Sequence, residues 1–176
     1  MSGHNKWSKI KRQKASTDGQ KSKIFGKYAR LITTEAKKSG ADSPTVRAIV
    51  EKARKENMPN DNIDRAIKKA TETGGVDMVE VVYEAYGPGG CALIIEGLTE
   101  NRNKAAQEVR HILSKNGGYE LAATGSASWA FTKNTERELV PTMTVPLSDA
   151  DGELLSTLID ALEDNDEVQA VYTNAE

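Results

Sequence analysis

The apolar positions change period near residue 75: before it they recur every three or four residues, after it they alternate or run together. Ile24, Phe25, Tyr28, Leu31 and Ile32 share one face of a helix that opens near Asp18 and stops near Ser39-Gly40, where glycine supplies the terminating residue. Ser43-Pro44 reads as an N-cap followed by proline in the first turn. The second helix then buries Val46, Ile49, Val50 and Ala53 and ends at Asn57-Met58-Pro59. A third starts after Asn60 or Asp61, buries Ile63, Ala66, Ile67 and Ala70, and closes at Gly74-Gly75.

Beyond it, Val79 to Tyr86 and Cys91 to Gly97 read as strands separated by the turn signal Gly87-Pro88-Gly89-Gly90. Asn103 to Lys115 reads as a helix with Ala106, Val109, Ile112 and Leu113 inward, terminated by Gly117-Gly118. Strands are expected at Ser126–Phe131, Leu139–Val145 and Val168–Tyr172. A helix from Ser148 or Asp149 to Glu163 carries acids at its start, where the helix dipole favours them. These elements predict an α+β chain in three parts. A basic arm spans 1–17 and a small three-helix domain 18–75. An α+β sandwich with helices packed on a mainly antiparallel sheet spans 76–176.

Charge sharpens that division. The formal net charge is only −2, but residues 1–70 hold 18 of the 24 Lys and Arg and 7 of the 26 Asp and Glu. The first segment is therefore +11 and the rest −13, an asymmetry that points to a polyanionic partner. The alternative is a basic segment that neutralises the acidic part of its own chain. No run of about 18 apolar residues would span a membrane, and no apolar stretch follows the basic N-terminus as in a secretory signal. Met1 to Lys14 also lacks the Arg and Leu richness of a mitochondrial presequence. One cysteine, Cys91, allows no internal disulfide, which fits a reducing cytoplasm.

The clearest candidate chemistry is phosphate binding. Lys6, Lys9, Lys11, Arg12, Lys14, Lys21, Lys23, Lys27 and Arg30 place nine cations in thirty residues against Asp18 alone. Trp7 lies among them, either stacking on an unpaired base or folding back onto the helical domain. Arg47, Arg54, Lys55, Arg65, Lys68 and Lys69 extend the basic character over the second and third helices. They form a second phosphate-contacting face or pair with Glu51, Glu56 and Asp64 at helical spacing. Gly87, Gly89 and Gly90 either present amides to a phosphate or make a tight hairpin turn; the Gly-Lys-Ser/Thr ending of a P-loop is absent. Asn101 or Asn103 caps the following helix, and Arg102 stands beside it within reach of an anion.

Catalysis finds little support. One Cys and two His, His4 and His111, make no usual structural zinc site, and there is no Gly-x-Ser-x-Gly elbow. The acids Asp160, Glu163, Asp164, Asp166 and Glu167 read as a solvated face. No metal or cofactor is expected, and without a coiled-coil seam a monomer is.

Several motifs also resemble the YebC/PmpR family. They are Gly3-His4-Asn5-Lys6-Trp7-Ser8-Lys9-Ile10-Lys11, Asn57-Met58-Pro59-Asn60-Asp61-Asn62-Ile63, Tyr86-Gly87-Pro88-Gly89-Gly90, Thr99-Glu100-Asn101-Arg102-Asn103 and Val171-Tyr172-Thr173-Asn174. Asn5 stands where the family usually has serine. Typical members also carry an additional α/β domain where this chain passes through Lys133-Asn134-Thr135. The resemblance implies a helical N-terminal domain and a role in gene expression. Members include DNA-binding transcriptional regulators, ribosome-associated factors and a mitochondrial translational activator. Together these readings give a non-enzymatic, cytoplasmic nucleic-acid-binding regulator, first an RNA- or ribosome-associated translation factor. A DNA-binding transcriptional regulator comes second and a protein-interaction adaptor third.

Overall fold

A computed structural model describes residues 18–73, 75 and 77–176. It divides into two compact units that meet in sequence at Val79 and Glu80.

The first unit is helical: α1 (Asp18–Ser39), α2 (Pro44–Lys55) and α3 (Asn60–Thr71). Their apolar faces meet in one core of Ile32, Val46, Val50, Ala53, Met58, Ile63 and Ala66, with Phe25 and Tyr28 packed against it. Ser43 caps α2 by accepting from the Val46 amide at 3.2 Å, as its position before Pro44 requires. The α2–α3 turn is set by Asn57, whose φ of 65° is left-handed. The Asn57 amide donates to Arg54 O at 2.9 Å and the Met58 amide to Ala53 O at 3.0 Å. This is the paired-amide ending that asparagine tolerates in place of glycine, and Met58 becomes its buried apolar contact. The third helix ends at Thr71, short of Gly75.

The second unit contains β1 (Val79–Tyr86), β2 (Ala92–Thr99), α4 (Arg102–Lys115), β3 (Leu121–Ala122), β4 (Phe131–Lys133), β5 (Leu139–Pro141), α5 (Asp149–Glu163) and β6 (Val168–Thr173). Four strands form a sheet in the order β3-β1-β2-β6, and β4 pairs antiparallel with β5. Alternation divides β2 between two cores. Leu93 and Ile95 pack with Val109 and Leu113 of α4 and Leu155, Leu158 and Leu162 of α5. Ala92 and Ile94 pack with Ala127, Ala130 and Phe131. Helices thus cover one sheet face, and the 127–141 segment covers β2 on the other. At Gly97 the register against β6 shifts, and a Cβ there would lie 2.7 Å from Glu167 O, so only glycine fits.

Three expectations need correction. Ser126–Phe131 is not a strand: Ser128–Ala130 is a 3-10 turn, and the strand runs Phe131–Lys133. The cause is Glu84 on β1, a buried carboxylate of the outer face. Its Oε1 accepts from the Gly125 amide at 2.7 Å, and its Oε2 accepts from Ala127 at 2.7 Å and Ser128 at 2.9 Å. Amides bent around one side chain are not available to a strand. The strand expected over Leu139–Val145 stops at Pro141, and Val145 instead makes an isolated parallel bridge to Ala175. In α4 the inward alanine is Ala105 rather than Ala106, which is half-buried. The short strand β3 had no sequence signal. Between β4 and β5 the turn is closed by Asn134, whose Oδ1 accepts from the Glu136 and Glu138 amides at 3.0 and 2.9 Å.

Burial raises the pKa of Glu84, but the three backbone amides that donate to it outweigh that and hold it below the usual range. Its stabilising contribution is therefore complete above the ordinary glutamate value near 4.5 and is lost as pH falls through the lower folded value. Glu84→Gln should cost about 2–3 kcal/mol at pH 7, because an amide cannot accept from all three donors. It should also flatten this part of the acid-unfolding curve; urea melts at pH 7 and pH 3 measure both effects. At the α2–α3 turn, Asn57→Ala should cost about 1 kcal/mol while Asn57→Gly stays near neutral, read from thermal midpoints.

Candidate nucleic-acid interface

The basic residues of α2 and α3 lie opposite the apolar stripes that bury these helices. Arg47, Arg54 and Lys55 are exposed on α2, as are Arg65, Lys68 and Lys69 on α3. Their partners are not carboxylates. The Arg47 guanidinium donates to the Asp42 carbonyl at 3.1 and 2.9 Å. Arg54 Nε donates to Asn60 Oδ1, and Arg65 Nη2 to Asn62 Oδ1, each at 3.3 Å. Among the described residues, Glu51, Glu56 and Asp64 make no ion pair with these cations, and Lys55, Lys68 and Lys69 have no acidic partner. The local-pairing alternative is thus not realised, and the charge on these helices faces solvent. Arg54 also spans the α2–α3 turn through Asn60, which holds one guanidinium at a fixed place beside it.

On α1, Lys21 and Lys23 are exposed near the start, while Lys27 and Arg30 are half-buried. Lys6, Trp7, Lys9, Lys11, Arg12 and Lys14 lie outside the described residues.

The glycine loop of the second unit is a closed turn. The Gly87 amide donates to Cys91 O at 2.9 Å, Gly90 to Gly87 O at 3.1 Å and Cys91 to Pro88 O at 3.3 Å. Gly89 and Gly90 adopt φ of 64° and 77°, and a Cβ on Gly89 would meet Leu147. The glycines close a tight turn against the segment before α5. Asn101 caps α4, its Oδ1 accepting from the Asn103 and Lys104 amides at 3.1 Å each. Arg102 beside it is exposed.

Sequence reasoning passed over an aromatic pair on the outer sheet face. Trp129 and Tyr86 are 58% and 39% exposed. The Trp129 Nε1 donates to Ser126 O at 2.8 Å and lies 3.3 Å from the Tyr86 hydroxyl, which itself donates to Ser126 O. Glu84, the second of two glutamates in an otherwise apolar strand, was the available signal that the 125–128 backbone folds over β1 at this point.

Among the described residues, no group of three or more His, Cys, Asp and Glu is placed to hold a metal ion. No helix there is long and apolar enough to cross a membrane. Cys91 is buried, and burial pushes its thiol pKa up, away from reactivity.

Comparison with known proteins matches both units. Residues 5–73 match the model of the TACO1/YebC protein N-terminal domain. Residues 78–136 and 132–175 match that of the TACO1/YebC second and third domain. A "probable transcriptional regulatory protein" of Thermosipho africanus is 38% identical over 238 aligned positions, covering all of this chain and 94% of the relative. One of Pelotomaculum thermopropionicum is 35% identical over 241, covering all of this chain and 99% of the relative. Both alignments are longer than the chain's 176 residues, so these relatives hold residues that it lacks. The solved structure of a conserved hypothetical protein from Aquifex aeolicus superposes with a TM-score of 0.79 at 29% identity, covering 92% of this chain and 93% of that one. With family models matched over both units and relatives aligned along its whole length, the chain belongs to the TACO1/YebC family.

Proposed function

We propose that the protein is a non-enzymatic, cytoplasmic nucleic-acid-binding regulator of gene expression, which grips phosphates with its helical unit and the basic segment before it. The observation that carries this reading is the set of exposed cations on α2 and α3 without acidic partners among the described residues. Acids are present in both helices, and pairs at helical spacing would stabilise them by roughly 0.2–0.5 kcal/mol each. Leaving them unused keeps the cations available for counterion exchange with a polyanion.

RNA, on the ribosome or free, is the first reading of the target. Irregular RNA offers phosphates together with unstacked bases, which suits a lysine-rich segment carrying Trp7. DNA is the second, favoured by relatives named as transcriptional regulatory proteins. The protein acts as a monomer and requires no cofactor. The shortened segment at Lys133-Asn134-Thr135 replaces the additional domain of longer family members with a hairpin turn. That reading accords with the two blocks in which the family model matches, 78–136 and 132–175, and with the extra aligned positions of the relatives.

Sucrose-gradient sedimentation with ribosomes, and parallel titration of duplex DNA, should be run at rising salt on three proteins: the whole chain, one lacking residues 1–14, and Lys68→Glu/Lys69→Glu. The double reversal should weaken binding at least about tenfold and lower the salt slope by roughly two. Comigration with ribosomes that requires residues 1–14 supports the RNA reading. A sequence-selective DNA affinity that survives physiological salt, without comigration, replaces it with the DNA reading. Binding to neither at low salt refutes the proposal.

A further inference from the structure

The outer face of β1 is covered only in its middle. Glu80, Val82, Glu84 and Tyr86 share that face by alternation. Glu84 is roofed by the 125–128 backbone, which leaves Val82 exposed at 58% on one side and Tyr86 with Trp129 exposed on the other. These are three of the five exposed large apolar side chains among the described residues, and the two aromatic rings adjoin. Their setting is rigid. The indole N–H and the phenol O–H are both engaged on Ser126 O, and Ser126 sits within the loop that Glu84 ties down. A surface of this kind presents ring faces at small entropic cost to an incoming group.

The charge around it selects the occupant. Residues 80–176 hold 17 acidic and 6 basic residues. Glu80 lies on the same face, and the half-buried Glu96 is close enough to feel both its charge and that of Lys133, a basic side chain beside them. A nucleic acid would be repelled by this unit, and a second copy of the same face would bring like charges together. A cationic segment gains from both features, through the carboxylates and through cation–π contact with Trp129 and Tyr86.

We propose that Val82, Tyr86 and Trp129 form a docking surface for an arginine- or lysine-rich segment of a partner protein that alternates cations with aliphatic side chains. The protein then has two binding functions, with a basic helical unit for nucleic acid and an acidic unit for a basic protein. The second stands on its own observations and does not depend on the first.

The test uses the whole chain with Trp7→Phe, so that Trp129 is the only tryptophan. The probe is a nonapeptide of alternating arginine and leucine, capped at both ends and free of aromatic residues. Its addition should shift Trp129 emission in a saturable, salt-sensitive way. In anisotropy titrations with labelled peptide, Val82→Lys and Trp129→Leu should each raise Kd at least about fivefold. Both side chains are exposed, so unchanged circular dichroism is expected and gives two independent folded variants. Affinity for an oligouridylate should stay within about twofold in both, since that ligand belongs to the helical unit. Three results overturn the proposal: peptide affinity unchanged in both variants, oligouridylate rather than peptide moving Trp129 emission, or self-association that Val82→Lys abolishes.

Discussion

The constraint on which the second unit depends is that β2 is apolar on both faces. A strand with Leu93 and Ile95 on one side and Ala92 and Ile94 on the other cannot lie at a water interface, so a layer must form on each. Helices α4 and α5 supply the first. The second is assembled from short pieces, the 3-10 turn at Ser128–Ala130 and the β4–β5 hairpin, because no third helix is available to it. The close approach at Gly97 follows from the same crowding, since the segment before β6 runs against β2 there.

Completing that outer layer requires a chain segment to turn over β1, and Glu84 is what fixes it. A carboxylate on a buried face is costly unless it is hydrogen-bonded, and three backbone amides of the turn satisfy it. Those amides would otherwise be orphaned too. Each group solves the other's desolvation problem, and Trp129 is held beside Tyr86 as a by-product. The same face carries a half-buried polar pair, Glu96 and Tyr172, with the opposite tendency. Burial first, and then the charges of Glu96 and Glu138, push Tyr172 up to about 12, while burial raises Glu96 as well.

Charge is partitioned as sharply as hydrophobicity. The helical unit spends its apolar residues on a core of three helices and turns the basic side chains of α2 and α3 toward solvent, whereas the second unit is dominated by acids. The ion pairs that Lys104 makes with Glu108 and Glu167 in the second unit rest on a solvent-exposed ammonium and contribute little to stability. The partition therefore has its consequence in what each unit attracts, not in how firmly it folds.

Much of this was legible in the sequence because it is local. Period fixed the three helices of the first unit, Ser43-Pro44 fixed one start, and Asn57-Met58-Pro59 fixed one turn, each through backbone geometry that a few neighbouring residues decide. The basic and acidic halves needed only counting. What the sequence left undetermined depends on partners far along the chain. Ser126–Phe131 has the composition of a strand, and only Glu84, more than forty residues earlier, bends it into a turn. Whether Arg54 and Arg65 would meet Glu51, Glu56 and Asp64 or asparagines depended on how the helix ends were capped and turned. The exposure of Trp129 is likewise a tertiary fact, because an indole is normally buried and only the route of the loop across β1 leaves this one outside.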